Sequence, residues 1–99
     1  MWLLTKTAPE TPIQFYKPEG ENLGLFLIPL DNGLCFIESV VSTGVVHKWN
    51  QEHANCQVKM FDQLVEVNGR RGGHEELVKA MSESGDVELV LMTHRPKDC

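Results

Sequence analysis

The pair Asn32-Gly33 constrains this chain more than any other local feature, because it sits between two apolar runs of strand length, "LGLFLIPL" (23–30) and "LCFIESVV" (34–41). Asn and Gly tolerate the positive φ that a tight hairpin turn needs if its twist is to match the flanking strands. An antiparallel hairpin is therefore expected over 23–41. Pro29, which has no N–H for a ladder, belongs at an edge or a bulge. The signal recurs at Asn68-Gly69, which closes "DQLVEVNG" (62–69), a strand expected to alternate Leu64, Glu66 and Asn68 against Val65 and Val67. "PIQFYK" (12–17) reads as the first strand. "DVELVLMTH" (86–94) reads as the last, with Val87, Leu89 and Leu91 on one face.

Two segments break the strand period. In "GHEELVKAM" (73–81), His74, Val78 and Met81 are spaced i, i+4, i+7 and share one helix face, while Leu77 and Ala80 lie on an adjacent face. Such a helix can anchor to a core on one side and line something on the other. Gly72-Gly73 and Ser84-Gly85 bound it. "TGVVHKWNQEHANC" (43–56) holds a short helix followed by a polar loop, and "PEGEN" (18–22) is a loop by its Pro, Gly and Asn content. The expected fold is α+β, mainly β: a small antiparallel barrel or sandwich of five to six strands with one long and one short helix. Residues 1–12, with two prolines, three threonines and no period, read as an N-terminal tail. Residues 13–95 read as the domain and 96–99 as a C-terminal tail.

Charge and cysteine usage remove several function classes. Nine basic against fourteen acidic residues give a net charge of -5, which supplies no basic stripe for nucleic acid. The densest basic cluster, Arg70-Arg71, reads as solvated. Cys35, Cys56 and Cys99 form no spaced framework and leave one unpaired, so a reducing, cytoplasmic setting is expected. The apolar run in "MWLLTK" is too short for a signal peptide, and no stretch approaches membrane-spanning length. His47, His53 and Cys56 fall short of the four paired ligands of a structural zinc site, so no metal or cofactor is expected. Cys35 lies mid-strand among Leu34, Phe36 and Ile37, the setting of an inert thiol. With no Gly-x-Ser-x-Gly, phosphate loop or paired acids, an enzyme is not expected.

Three features then fall in one order: "NLGL" (22–25), "DQLVEVNG" (62–69) and "GHEELVKAM" (73–81). Together they resemble a PDZ domain over about residues 13 to 94. "NLGL" is similar to the family's carboxylate-binding loop, hydrophobic-Gly-hydrophobic. A glycine at 24 would let successive backbone N–H groups point at one anion, although a glycine that merely relieves a tight turn leaves the same trace. The resemblance implies a groove between the strand that starts at Leu25 and the helix that starts at His74. A partner's C-terminal peptide would add there as an extra antiparallel strand. The implied peptide-binding residues are Leu23, Gly24, Leu25, Phe26 and Leu27 on the strand side, His74, Val78 and Met81 on the helix, and Lys17 as the basic residue near the carboxylate. Leu23, Leu25 and Leu27 would floor the pocket for an apolar last residue. His74 implies Ser or Thr third from the ligand's end, the class I pattern, because a neutral imidazole both donates and accepts hydrogen bonds. The expected role is a protein interaction module, part of a larger multidomain scaffold and brought to the inner face of a membrane by its partner. A regulatory PDZ domain of a larger enzyme such as a protease, or a module reading an internal segment or partner domain, are the alternatives.

Two features depart from the family pattern. Phe61 stands before Asp62 where the family usually has Gly, and a phenylalanine there is expected to avoid the left-handed region. The segment from Trp49 to Val58 is longer than the family's usual link. Phe61 and Trp49 either pack together under it or form a second contact surface.

Overall fold

The structure, a computed structural model, describes residues 10–31 and 33–92. The turn residue Asn32, Cys99, most of the N-terminal tail and the last two residues of the expected final strand lie outside them. The chain runs β1 (Glu10–Lys17), β2 (Leu25–Pro29), β3 (Cys35–Val40), α1 (Val45–Glu52), a single 3-10 turn (Ala54–Cys56), β4 (Gln63–Val67), α2 (His74–Met81) and β5 (Gly85–Met92). The strands form one antiparallel sheet in the order β1-β5-β4-β3-β2. This is the expected mainly-β architecture, with two helices of equal length, eight residues each.

Burial follows the periods of the sequence. On β5, Val87, Leu89 and Leu91 are buried, and they meet Ile13 from β1, Ile37 from β3 and Leu64 and Val67 from β4 in one core. The simple alternation expected of β4 does not hold. Leu64 pairs with Leu91 and Glu66 with Val90, so Val65 is an extra residue that bulges the strand. The bulge turns both Leu64 and Val67, three apart, into the core. The turn after β4 is as expected. Val67 and Arg70 exchange two backbone hydrogen bonds, at 3.1 and 2.9 Å, around Asn68 (φ 52) and Gly69 (φ 80), the two positive angles of a type I′ turn.

β1 starts at Glu10, two residues earlier than expected, in register with Met92. Arg71 is not simply solvated as expected. Its guanidinium grips the Glu10 carboxylate with Nη1 at 3.1 Å and Nη2 at 2.5 Å, and donates from Nε to Glu66 at 2.7 Å. Arg70 pairs with Glu83 at 2.7 Å. Between α1 and β4, the buried Asn50 acts as a staple: its amide donates to the Val58 carbonyl at 2.9 Å and accepts from the Val58 N–H at 2.8 Å. Both polar ends of a buried side chain are thereby satisfied, and the polar loop after α1 closes on the helix.

Phe61 overturns the expectation placed on it. Its φ is 74, inside the left-handed region. The Asp62 N–H donates to the Lys59 carbonyl at 3.1 Å, so Phe61 takes the third position of a tight turn that normally carries Gly. The Phe61 N–H reaches the Ile37 carbonyl at 2.7 Å and the Ile37 N–H reaches the Asp62 carbonyl at 2.9 Å, and these ties to β3 hold the turn. Phe61 itself is 69% exposed, whereas Trp49 stacks on His53 with ring centroids 3.9 Å apart. The two rings therefore do not pack together. Cys35 is a buried free thiol, raised in pKa by that burial, while Cys56 is disulfide-bonded. The expectation of reduced thiols fits Cys35 and not Cys56. Among the described residues, no helix is long and apolar enough to cross a membrane, and no group of three His, Cys, Asp or Glu is placed to hold a metal ion.

Candidate functional site

α2 settles how its two faces divide. Leu77 and Ala80 are buried against the core, Val78 is 43% exposed, and His74 and Met81 are half-buried. Glu75 and Glu76 stand in the first turn, where the helix dipole favours negative charge. The face that does not serve the core looks across a cavity of about 660 Å³ to the start of β2. β2 pairs only with β3, so its other edge carries no strand among the described residues.

The chain reaches β2 through a loop shaped by three glycines. Just after β1, the Glu21 N–H donates to the Pro18 carbonyl at 3.2 Å around Gly20 (φ 88), which closes a tight turn. Gly24 takes φ 79 and interrupts the strand period, so β2 begins only at Leu25. Leu23 and Leu25 are both buried on the core side of the break. A Cβ on Gly24 would meet the Gly44 Cα at 2.7 Å. A Cβ on Gly44 would meet the Gly24 Cα and the Leu23 carbonyl oxygen at 2.5 Å each. The two backbones touch there with no room for a side chain on either.

That contact orients the loop. The Val45 N–H donates to the Asn22 carbonyl at 3.0 Å, the Val46 N–H to the Leu23 carbonyl at 3.1 Å and the Val41 N–H to the Gly24 carbonyl at 2.7 Å. Three successive carbonyls are thus turned toward α1 and the end of β3. The N–H groups of Leu23 and Gly24 donate to no protein atom among the described residues. Consecutive amides directed away from their own carbonyls form an anion-binding concavity. Lys17, the last residue of β1, lines the same cavity, is only 5% exposed, and has no carboxylate within ion-pair distance among the described residues. A buried ammonium without a counter-charge is costly, and the cavity lining holds one carboxylate residue, the exposed Glu21, beside it.

Of the residues the sequence nominated, Lys17, Leu23, Gly24, Leu25, Phe26, Val78 and Met81 line this one cavity. Leu27 lies farther along β2, half-buried and packed against the core, outside the lining. His74 is also outside it, one helical turn before Val78 on the same helix. Sequence reasoning missed Gly44. One signal marked it: a glycine directly precedes the apolar Val45-Val46 at the N-cap of α1, where a Ser, Thr, Asp or Asn is usually more favourable, and α1 has no side-chain cap.

Among solved structures, this chain is similar to the second PDZ domain of Dlg1 from the choanoflagellate Monosiga brevicollis. The likeness has a TM-score of 0.64 and 16% identity, and covers 87% of this chain and 100% of that one. No family model and no curated protein matches. The likeness carries the fold: five antiparallel strands and two helices in the arrangement of a PDZ domain.

Proposed function

We propose that this domain is a protein interaction module that binds the C-terminal peptide of a partner protein. The peptide adds as an antiparallel strand to the free edge of β2, facing α2. Its carboxylate takes the N–H groups of the Leu23–Leu25 loop, with Lys17 supplying the counter-charge. Its last side chain is apolar and fills the space between Leu23, Leu25, Val78 and Met81. His74 meets the hydroxyl of a Ser or Thr third from the end. The observation that carries this reading is the coincidence, in one cavity beside an unpaired strand edge, of two undonated amides and a buried, unpaired lysine. Both are expensive to leave unsatisfied and both are satisfied by one carboxylate.

The test is a titration of one peptide, ending in Ser-Ala-Val, as its free acid and as its C-terminal amide. The acid is expected to bind at least about tenfold more tightly, since a hydrogen bond to a charged group is worth roughly 1.5–3 kcal/mol. Equal affinities would remove the carboxylate from the mechanism and favour recognition of an internal segment or a partner domain.

A further inference from the structure

The turn that follows β1 sets an acid beside the cavity's lysine. Pro18 and Glu21 are its first and last residues, joined by the 3.2 Å backbone hydrogen bond, with Gly20 at φ 88 in the third position. Such a turn brings its two ends within about 7 Å of each other. Lys17, which leads into the turn, and Glu21, which ends it, are therefore neighbours. Both line the cavity, whereas Glu19, exposed in the same turn, does not. Lys17 is buried and Glu21 is open to solvent. Neither makes an ion pair among the described residues. The lysine thus has, on a long side chain at the cavity mouth, a neighbour with the charge it lacks.

We propose that Glu21 is an internal competitor for the carboxylate site: in the ligand-free domain its side chain turns onto Lys17, and a peptide's C-terminus displaces it. The inference rests on carboxylate binding as argued above and concerns the control of that same site. A buried ammonium gains from any counter-charge that reaches it. Glu21 supplies one at the solvent-exposed mouth, where an ion pair is weak. A peptide carboxylate supplies a stronger one, because it also takes the N–H groups of the Leu23–Leu25 loop in charge-assisted hydrogen bonds. The ligand therefore wins, but against a lysine already partly neutralised. Two consequences follow from the exchange of one ion pair for another. Affinity for free acids is held down while affinity for amides is not. Salt dependence is shallow, since the attraction that salt screens is largely spent on Glu21 before the ligand arrives.

The experiment titrates the Ser-Ala-Val peptide, as free acid and as amide, into the wild type, Glu21→Gln, Glu19→Gln, Lys17→Met and the Lys17→Met/Glu21→Gln double variant, with thermal melts confirming that each folds. Glu21→Gln should bind the acid about two- to five-fold more tightly, the range of an exposed ion pair, and bind the amide as the wild type does. Its affinity for the acid should also fall more steeply with salt than that of the wild type. Glu19→Gln removes the same charge from the same turn without touching the cavity, and should leave the acid-over-amide ratio unchanged. In the Lys17→Met background the gain from Glu21→Gln should vanish, because the competition runs through the lysine. An unchanged or lower acid affinity in Glu21→Gln, with the wild-type preference for acid intact, overturns this inference alone. So does an equal gain in Glu19→Gln, which would assign the effect to overall charge, or a gain that persists without Lys17. Equal binding of acid and amide by the wild type overturns the proposed carboxylate site and this inference with it.

Discussion

Phe61 occupies backbone space that a residue with a Cβ enters at a cost of about 1–2 kcal/mol, and its ring, 69% exposed, recovers little of that by burial. Glycine has no such penalty but loses roughly 0.5–1 kcal/mol through its freer unfolded chain. The balance predicts that Phe61→Gly stabilises the domain by about 0.5–1 kcal/mol, read as a higher urea midpoint at unchanged slope. Phe61→Val, β-branched, should do the opposite. A Gly variant less stable than the wild type would show that the ring makes stabilising contacts despite its exposure. A second residue-scale prediction concerns His74. If its imidazole bonds the ligand hydroxyl, a double-mutant cycle between His74→Ala and Ser→Ala in the peptide should give a coupling of about 0.5–1.5 kcal/mol, the net worth of a neutral hydrogen bond. A coupling of zero would leave His74 as a helix-start residue, in keeping with its place outside the cavity lining. The sequence exposed His74 because helical spacing is local. It misjudged Phe61 because the ties of Phe61 and Asp62 to Ile37 hold that turn from across the chain, and no window of sequence contains them.

At the scale of elements, what positions the amide cluster is the N-terminus of α1, which no motif announced. Gly44→Ala would place a Cβ 2.5 Å from the Gly24 Cα and the Leu23 oxygen, so backbone must move. The expected result is a folded domain whose preference for acid over amide peptide collapses. The ratio of the two affinities is the informative readout, because loss of folded protein alone would weaken both ligands equally. Val45→Pro tests the same coupling without adding bulk at the contact. It removes the N–H that holds the Asn22 carbonyl, at the first helical position, where proline is tolerated. Gly44 at φ -91, ψ 169 already has the extended conformation that a residue before proline needs. Helix content should stay and the acid-over-amide ratio should fall. An unchanged ratio in both variants would show that the loop holds its shape without α1. Strands, α2 and the Asn68-Gly69 turn were legible because period and turn chemistry are written in adjacent residues. The Val65 bulge and the Gly24–Gly44 contact were not, since each depends on a partner strand or helix whose register only the folded chain supplies.

Among the described residues of the whole molecule, the sheet order sets the first strand beside the last and leaves β2 without a second neighbour at the opposite edge. Arg71 ties the β1 side together by reaching Glu10 on β1 and Glu66 on β4, the two strands that flank β5. Its hydrogen bonds hold the Glu10 carboxyl below the usual carboxylate range. A carboxyl whose folded pKa is depressed binds protons more readily in the unfolded chain, so it stabilises the fold above its unfolded pKa. That contribution is lost as pH falls through the lower, folded pKa. Arg71→Gln should therefore lower the melting temperature modestly near pH 7, as exposed ion pairs do, and the gap to the wild type should close as both are taken below the unfolded carboxylate range of about 4. Raising salt at neutral pH should shrink the same gap by screening. A gap unchanged at pH 2 and in 1 M salt would mean that Arg71 acts through the packing of its stem across β5 rather than through its charge.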